Sequence, residues 1–115
     1  MALVSFRMCV GSAAGPQTLT IVTTNPDFIG EAEQALASGK TRVPIFDLLD
    51  GTGADPQWTW QVNPSTPTFA DATVELCDGC PADVEANKAY WLSSVKRFCP
   101  WSAEVTRVEP IDSTG

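Results

Sequence analysis

The first quarter of the chain alternates hydrophobic and polar residues with the period of a β-strand. From Leu3 to Val10, Val4, Phe6 and Met8 fall on one face and Ser5, Arg7 and Cys9 on the other. Gly11 to Pro16 is rich in Gly and Ala and reads as a turn. Gln17 to Thr23 sets Leu19, Ile21 and Val22 among threonines, a second strand and hairpin partner of the first. The period then changes. Thr24-Asn25-Pro26-Asp27 opens a helix, because Asn25 or Thr24 can cap, Pro26 suits the first helical position and Asp27 meets the positive dipole end. Ile29, Ala32, Ala35 and Leu36 share one helical face, and Gly39 stops the helix.

Strands return at Arg42 to Leu49, with Val43, Ile45 and Phe46 as the buried set and Pro44 marking an edge or a bulge. Asp50 to Pro56 is a loop by composition, and Trp58, Trp60 and Val62 alternate in a fourth strand. Asn63 to Pro67 forms another loop. Phe69 to Cys77 predicts a fifth strand with Ala70, Ala72, Val74 and Leu76 on one face. Pro81 to Val95 predicts a second helix turning Val84, Trp91, Leu92 and Val95 inward. Glu104 to Val108 is the last strand, and Asp112 to Gly115 is expected to fray. There are no repeats and no linker. The expected fold is α+β: two helices packed on a mostly antiparallel sheet of about five to six strands.

Composition narrows the function classes. The 115 residues, 43% of them hydrophobic, suit a single domain with a real core. Fourteen acidic residues against seven basic ones give a net charge of -7. That opposes nucleic acid and anionic membrane surfaces, which need clustered Lys and Arg. It suits a basic partner, or no more than a solvated surface. No stretch is long and apolar enough to span a membrane, and the Met1 start lacks the pattern of an export signal. Four cysteines in a small acidic chain favour secretion or another oxidising compartment, with the chain beginning after its export signal.

The chain has no histidine, so Ser-His-Asp and Cys-His catalysis is closed to it, and no enzyme activity is expected. Ser38-Gly39-Lys40-Thr41 lacks the first glycine of a phosphate loop and follows a helix instead of a strand. Asp47, Asp50 and Asp55 suggest a calcium loop, but their spacing misses the known pattern and they read better as turn residues. Glu31 with Glu33, and Asp83 with Glu85, read as helix-surface carboxylates. Trp58 and Trp60 could stack on a sugar, although same-face strand aromatics are more often core. No cofactor and no metal are expected.

Some stretches resemble a known family. They are Trp58-Thr59-Trp60-Gln61-Val62-Asn63-Pro64, Val74-Glu75-Leu76-Cys77-Asp78-Gly79, Val84-Glu85 and Phe98-Cys99-Pro100-Trp101, with the upstream helix Ala32 to Gly39. Together they resemble the amino-terminal domain of the cAMP-inducible, calmodulin-binding prespore protein family, from about Phe6 onward. The Cys-Asp-Gly and Cys-Pro-Trp pieces are the most specific. The resemblance implies a small α+β fold and pairing of Cys77 with Cys99. It carries no catalytic residues. Cys9 and Cys80 fall outside the family pattern, which suggests a second, private bond.

On the residues alone, four cysteines allow three connectivities. Cys77–Cys99 with Cys9–Cys80 is favoured, because a strand end and a post-helix loop can meet around one helix. Closing the shorter loop would contribute about 3 kcal/mol and the longer about 4 to 5 kcal/mol in the chain-entropy picture. The competing reading makes Cys77-x-x-Cys80 a redox dithiol at a helix start. Asp78 inside the pair would oppose thiolate formation, and the surrounding βαβ pattern is missing. A zinc site would need all four cysteines, and Cys9 has no neighbour at ligand spacing.

What remains is binding. A rigid, exposed loop on a disulfide-stapled core is how a substrate-like peptidase inhibitor works, since an ordered loop loses little entropy on binding. The candidate loop is Asp47 to Pro56, with Leu48, Leu49, Asp50, Gly51 and Thr52 as contacts and Leu49 as the primary-site residue. The alternative segment is Lys40 to Pro44, with Lys40 or Arg42 facing a trypsin-like pocket. Either segment could equally be a plain connection. The expected partner is another protein, a serine or cysteine peptidase. A developmental, calcium-signalling or adhesion module is the alternative, suggested by the family's name, and a redox protein is the third reading.

Overall fold

A computed structural model describes residues 1–111; the expected fraying of Asp112 to Gly115 lies outside the described residues. Strands β1 (Ala2–Met8) and β2 (Gln17–Thr23) pair antiparallel from Ala2 opposite Thr23 to Met8 opposite Gln17. β1 buries Ala2, Val4, Phe6 and Met8, as period-2 patterning requires. It ends one residue before Cys9, which takes a left-handed backbone with φ 59°. Helix α1 (Pro26–Ser38) starts where Asn25 Oδ1 accepts the amides of Asp27 and Phe28, at 3.0 and 3.3 Å. It ends at Gly39, whose φ of 76° needs a residue without Cβ.

The core-facing residues of α1 are Phe28, Ala32 and Ala35, whereas Leu36 is exposed. The stripe therefore sits one position back from the expected one, because the Phe28 ring stacks on Phe69 at 4.3 Å and fixes the helix's rotation.

Strand β3 (Val43–Asp50) buries Pro44, Phe46 and Leu48, with Val43 and Ile45 only half-buried. The inward face is thus the opposite of the expected Val43/Ile45 set. The Phe46 ring, edge-on to Phe6 at 5.5 Å, selects the register. β3 pairs with β5 (Thr68–Ala70) at its start, with β6 (Arg97–Phe98) in the middle and with β4 (Trp60–Val62) at its end. Pro44 lies opposite Phe69 and pairs with no other strand, so its missing N–H breaks no ladder. β7 (Glu104–Pro110) returns along β1, with a register shift between Ser5 and Phe6.

The architecture is α+β with antiparallel pairing throughout, but in two sheets instead of one: β2-β1-β7, and β3 flanked by β4, β5 and β6. The buried aromatics Phe6, Phe28, Phe46, Trp60 and Phe98 join them into one core.

Two expected elements are shorter than their patterns. The fifth strand stops at Ala70; Glu75–Cys77 is a single 3-10 turn, and Val74 and Leu76 are 71% and 62% exposed. Cys77 is bonded to Cys99 and its carbonyl accepts the Cys99 amide at 2.7 Å, which pulls the segment off the sheet. The second helix divides into α2 (Pro81–Ala86), α3 (Lys88–Tyr90) and a π turn, Trp91–Val95. Asn87 breaks it with φ -126° and ψ 42°, outside the helical region. Val84 and Trp91 are buried as expected. Among the described residues, no helix is long and apolar enough to cross a membrane.

Candidate binding site

The β3–β4 hairpin is the most deliberately held exposed segment of the molecule. Its strands close with Leu48 opposite Val62, Leu49 opposite Gln61 and Asp50 opposite Trp60. Gly51 adopts φ 90° and donates its N–H to the Thr59 carbonyl at 3.0 Å. Gly53 lies against Gln61, so that a Cβ there would sit 2.7 Å from the Gln61 Cβ. Gly51, Thr52, Gly53 and Ala54 are all exposed.

Three side-chain braces fix the connection. Asp55, only 7% exposed, accepts the Thr20 amide of β2 at 2.9 Å and the Gln57 amide at 3.1 Å. Gln57 and Trp58 then bond back to Thr18, the indole N–H reaching its carbonyl at 3.3 Å. From α2, the Glu85 carboxylate accepts the Thr59 amide at 2.7 Å and also its hydroxyl. Those two hydrogen bonds, hydroxyl first and amide second, hold the Glu85 carboxyl below the usual carboxylate range. From α3, Lys88 Nζ lies 3.1 Å from Asp50. Lys88 and then the Gly51 amide hold the Asp50 carboxyl down as well.

This geometry redraws the expected contact set. Leu48 is buried and belongs to the core. Leu49 is 41% exposed but sits in β3, so it offers a side chain from a strand and no free loop backbone. Asp50 is committed to Lys88, which leaves Gly51 and Thr52 at the open tip. The alternative segment is less available. Arg42 donates to Asp71 and to Glu31, each at 2.9 Å, and the Asp71 hydrogen bond, with Glu31's charge, keeps its guanidinium more firmly protonated. It ties α1 to the segment after β5 and is no free anchor. Lys40 is exposed just past the helix end, its amide bonded to Ser38 Oγ at 3.2 Å.

The other sequence candidates also find places. Asp47 pairs with Arg97 at 3.4 Å, so Asp47, Asp50 and Asp55 each have a separate partner. Among the described residues, no group of three potential ligands could hold a metal ion. Trp60 is buried edge-on to Phe98 at 5.8 Å, and Trp58 stacks on it at 6.1 Å, which is a core arrangement. The disulfides are Cys9–Cys80 and Cys77–Cys99, with Cα separations of 6.1 and 5.0 Å. The two cysteines of Cys77-x-x-Cys80 thus belong to different bonds, and no dithiol pair exists between them. Asp83, read as a surface carboxylate, accepts the Cys80 amide at 2.9 Å and opens α2.

Sequence reasoning missed Glu85, Lys88, Gln57 and Thr59. Glu85 stood in the sequence only as one of two helix-surface acids, and Lys88 follows the Asn87 break that no pattern announced. The Cys77-Asp78-Gly79 segment is fixed by Asp78, whose carboxylate accepts the Trp101 amide at 2.8 Å. The Trp101 indole N–H in turn donates to Thr73 Oγ1. The motif residues with the strongest family likeness therefore lock one another.

No curated protein and no solved structure matches the chain. A profile of the N-terminal domain of the calmodulin-binding prespore protein family matches residues 4–112, spanning both sheets, the described helices and both disulfides. The chain belongs to that N-terminal domain family.

Proposed function

We propose that this small disulfide-bonded domain is a secreted, non-catalytic protein-binding module that inhibits a serine or cysteine peptidase through the β3–β4 hairpin. The observation that supports this reading is the bracing of one exposed tip, Gly51 to Ala54, by Asp55, Glu85 and Lys88 from three sides. An ordered tip loses little conformational entropy when an enzyme closes on it, which is what tight loop inhibitors exploit. Thr52 and the neighbouring Leu49 side chain form the contact, flanked by acidic residues that favour a basic partner surface. Two disulfides are compatible with an oxidising compartment. A developmental or adhesion-associated module would use the same hairpin on a different protein.

The test is a titration of the protein against chymotrypsin-like, subtilisin-like, trypsin-like and papain-like peptidases. Stoichiometric inhibition of at least one is expected. Full activity of every enzyme at micromolar protein would remove the inhibitor reading.

A further inference from the structure

The two disulfides differ in their access to solvent. Cys77 and Cys99 are 5% and 1% exposed, whereas Cys9 and Cys80 are both only half-buried. Thiol–disulfide exchange needs in-line approach of a thiolate to a sulfur, so access decides which bond is attacked first. The accessible bond also sits at a mechanically informative place. It joins the end of β1 to Cys80, the residue immediately before α2. α2 has six residues and α3 three, both too short to hold a helix unaided. Their position depends on what ties their ends. At the start, these ties are Cys9–Cys80 and the Ala82 amide on Gln17 Oε1, at 2.9 Å. At the far end they are Glu85 on Thr59 and Lys88 on Asp50.

We infer that Cys9–Cys80 is a redox-sensitive brace: its selective reduction loosens the α2–α3 corner and, through Glu85 and Lys88, the β3–β4 hairpin. The inference rests on the hairpin being the contact region proposed above. The reductant is a dithiol, of a small molecule or of a protein. One of its thiolates attacks a sulfur of Cys9–Cys80, forming a mixed disulfide and expelling the other cysteine as a thiolate that takes up a proton. The second thiol of the reductant, deprotonated, attacks the mixed disulfide. The reductant closes into its own disulfide and the remaining cysteine is released and protonated. Two electrons reach the protein and the dithiol is oxidised, with Cys77–Cys99 untouched.

Native protein is treated with limiting dithiothreitol, alkylated with N-ethylmaleimide and mapped by peptide mass. A species alkylated at Cys9 and Cys80, with Cys77–Cys99 intact, should accumulate first. In it, the Thr59 and Gly51 amides should exchange hydrogen about fivefold faster or more than in the oxidised protein, the change expected for a loss of about 1 kcal/mol. The Cys9→Ser/Cys80→Ser double variant should exchange equally fast without reductant. Glu85→Gln should loosen Thr59 with both disulfides intact, and reduction should then add less than it does in the wild type. Alkylation of Cys77 and Cys99 first, or at the same rate, overturns the inference. So does a two-thiol species whose hairpin exchanges as slowly as the oxidised form. None of these readings involves a peptidase, so the brace and the inhibitor proposal fail separately.

Discussion

Asp55 does for the hairpin what a neighbouring strand would do for a sheet edge. Its carboxylate takes the outward Thr20 N–H of β2 while bonding its own turn through Gln57. Truncation leaves the Thr20 amide unpaired beside a buried site, and Asp55→Ala should cost about 1 to 3 kcal/mol. Denaturant melts at neutral pH measure it, and a loss near zero would mean that water replaces the carboxylate. Gly53 makes a second prediction at this scale. A methyl group there meets the root of the Gln61 side chain at 2.7 Å, where no flexible end can yield. Gly53→Ala should therefore displace the tip and weaken any hairpin-dependent binding about tenfold or more, while core stability falls by only about 1 kcal/mol. Inhibition constants beside melting curves separate these effects. Asp55 stood in the sequence as one of three acids near glycines, and nothing local told it apart from Asp50. Its role depends on β2, thirty-five positions away, and such a partner cannot be read from local pattern.

At the scale of elements, what was legible followed from local physics. The β1–β2 hairpin and α1 each carry their own signals, alternation in one and cap, proline and glycine in the other. β3 was legible as a strand but not by face, because Val43 and Ile45 are as apolar as Phe46 and Leu48, and period 2 cannot choose between them. The second helix was lost at Asn87, where tertiary contacts at Glu85 and Lys88 turn the chain. That corner also predicts a pH dependence. Asp50 and Glu85 both have carboxyls depressed in the folded state, so their contribution is present above the usual carboxylate range and is lost as pH falls through and below it. Protection of the Thr59 and Gly51 amides should accordingly fall below about pH 4, the usual carboxylate region. Amides of β1 should keep theirs. Glu85→Gln should flatten the profile at Thr59, and an unaltered profile in that variant would place the titrating group elsewhere.

For the whole molecule, two short sheets share one aromatic core, and the disulfides fasten the irregular C-terminal half to it. This division explains why the exposed hairpin can be rigid: β3 contacts every strand of its sheet, so its end is anchored before the tip begins. The central claim is that the hairpin carries the binding. It is tested most directly by measuring inhibition constants and melting transitions of wild type, Leu49→Ala and Arg42→Ala side by side against the peptidase that responds best. The account predicts that Leu49→Ala loses about 2 kcal/mol of affinity or more, roughly thirtyfold, with the melting transition unchanged. Arg42→Ala, which breaks only the exposed pairs with Glu31 and Asp71, should inhibit like wild type. Retained inhibition in Leu49→Ala with its loss in Arg42→Ala would contradict the account and move the contact to the segment that follows α1.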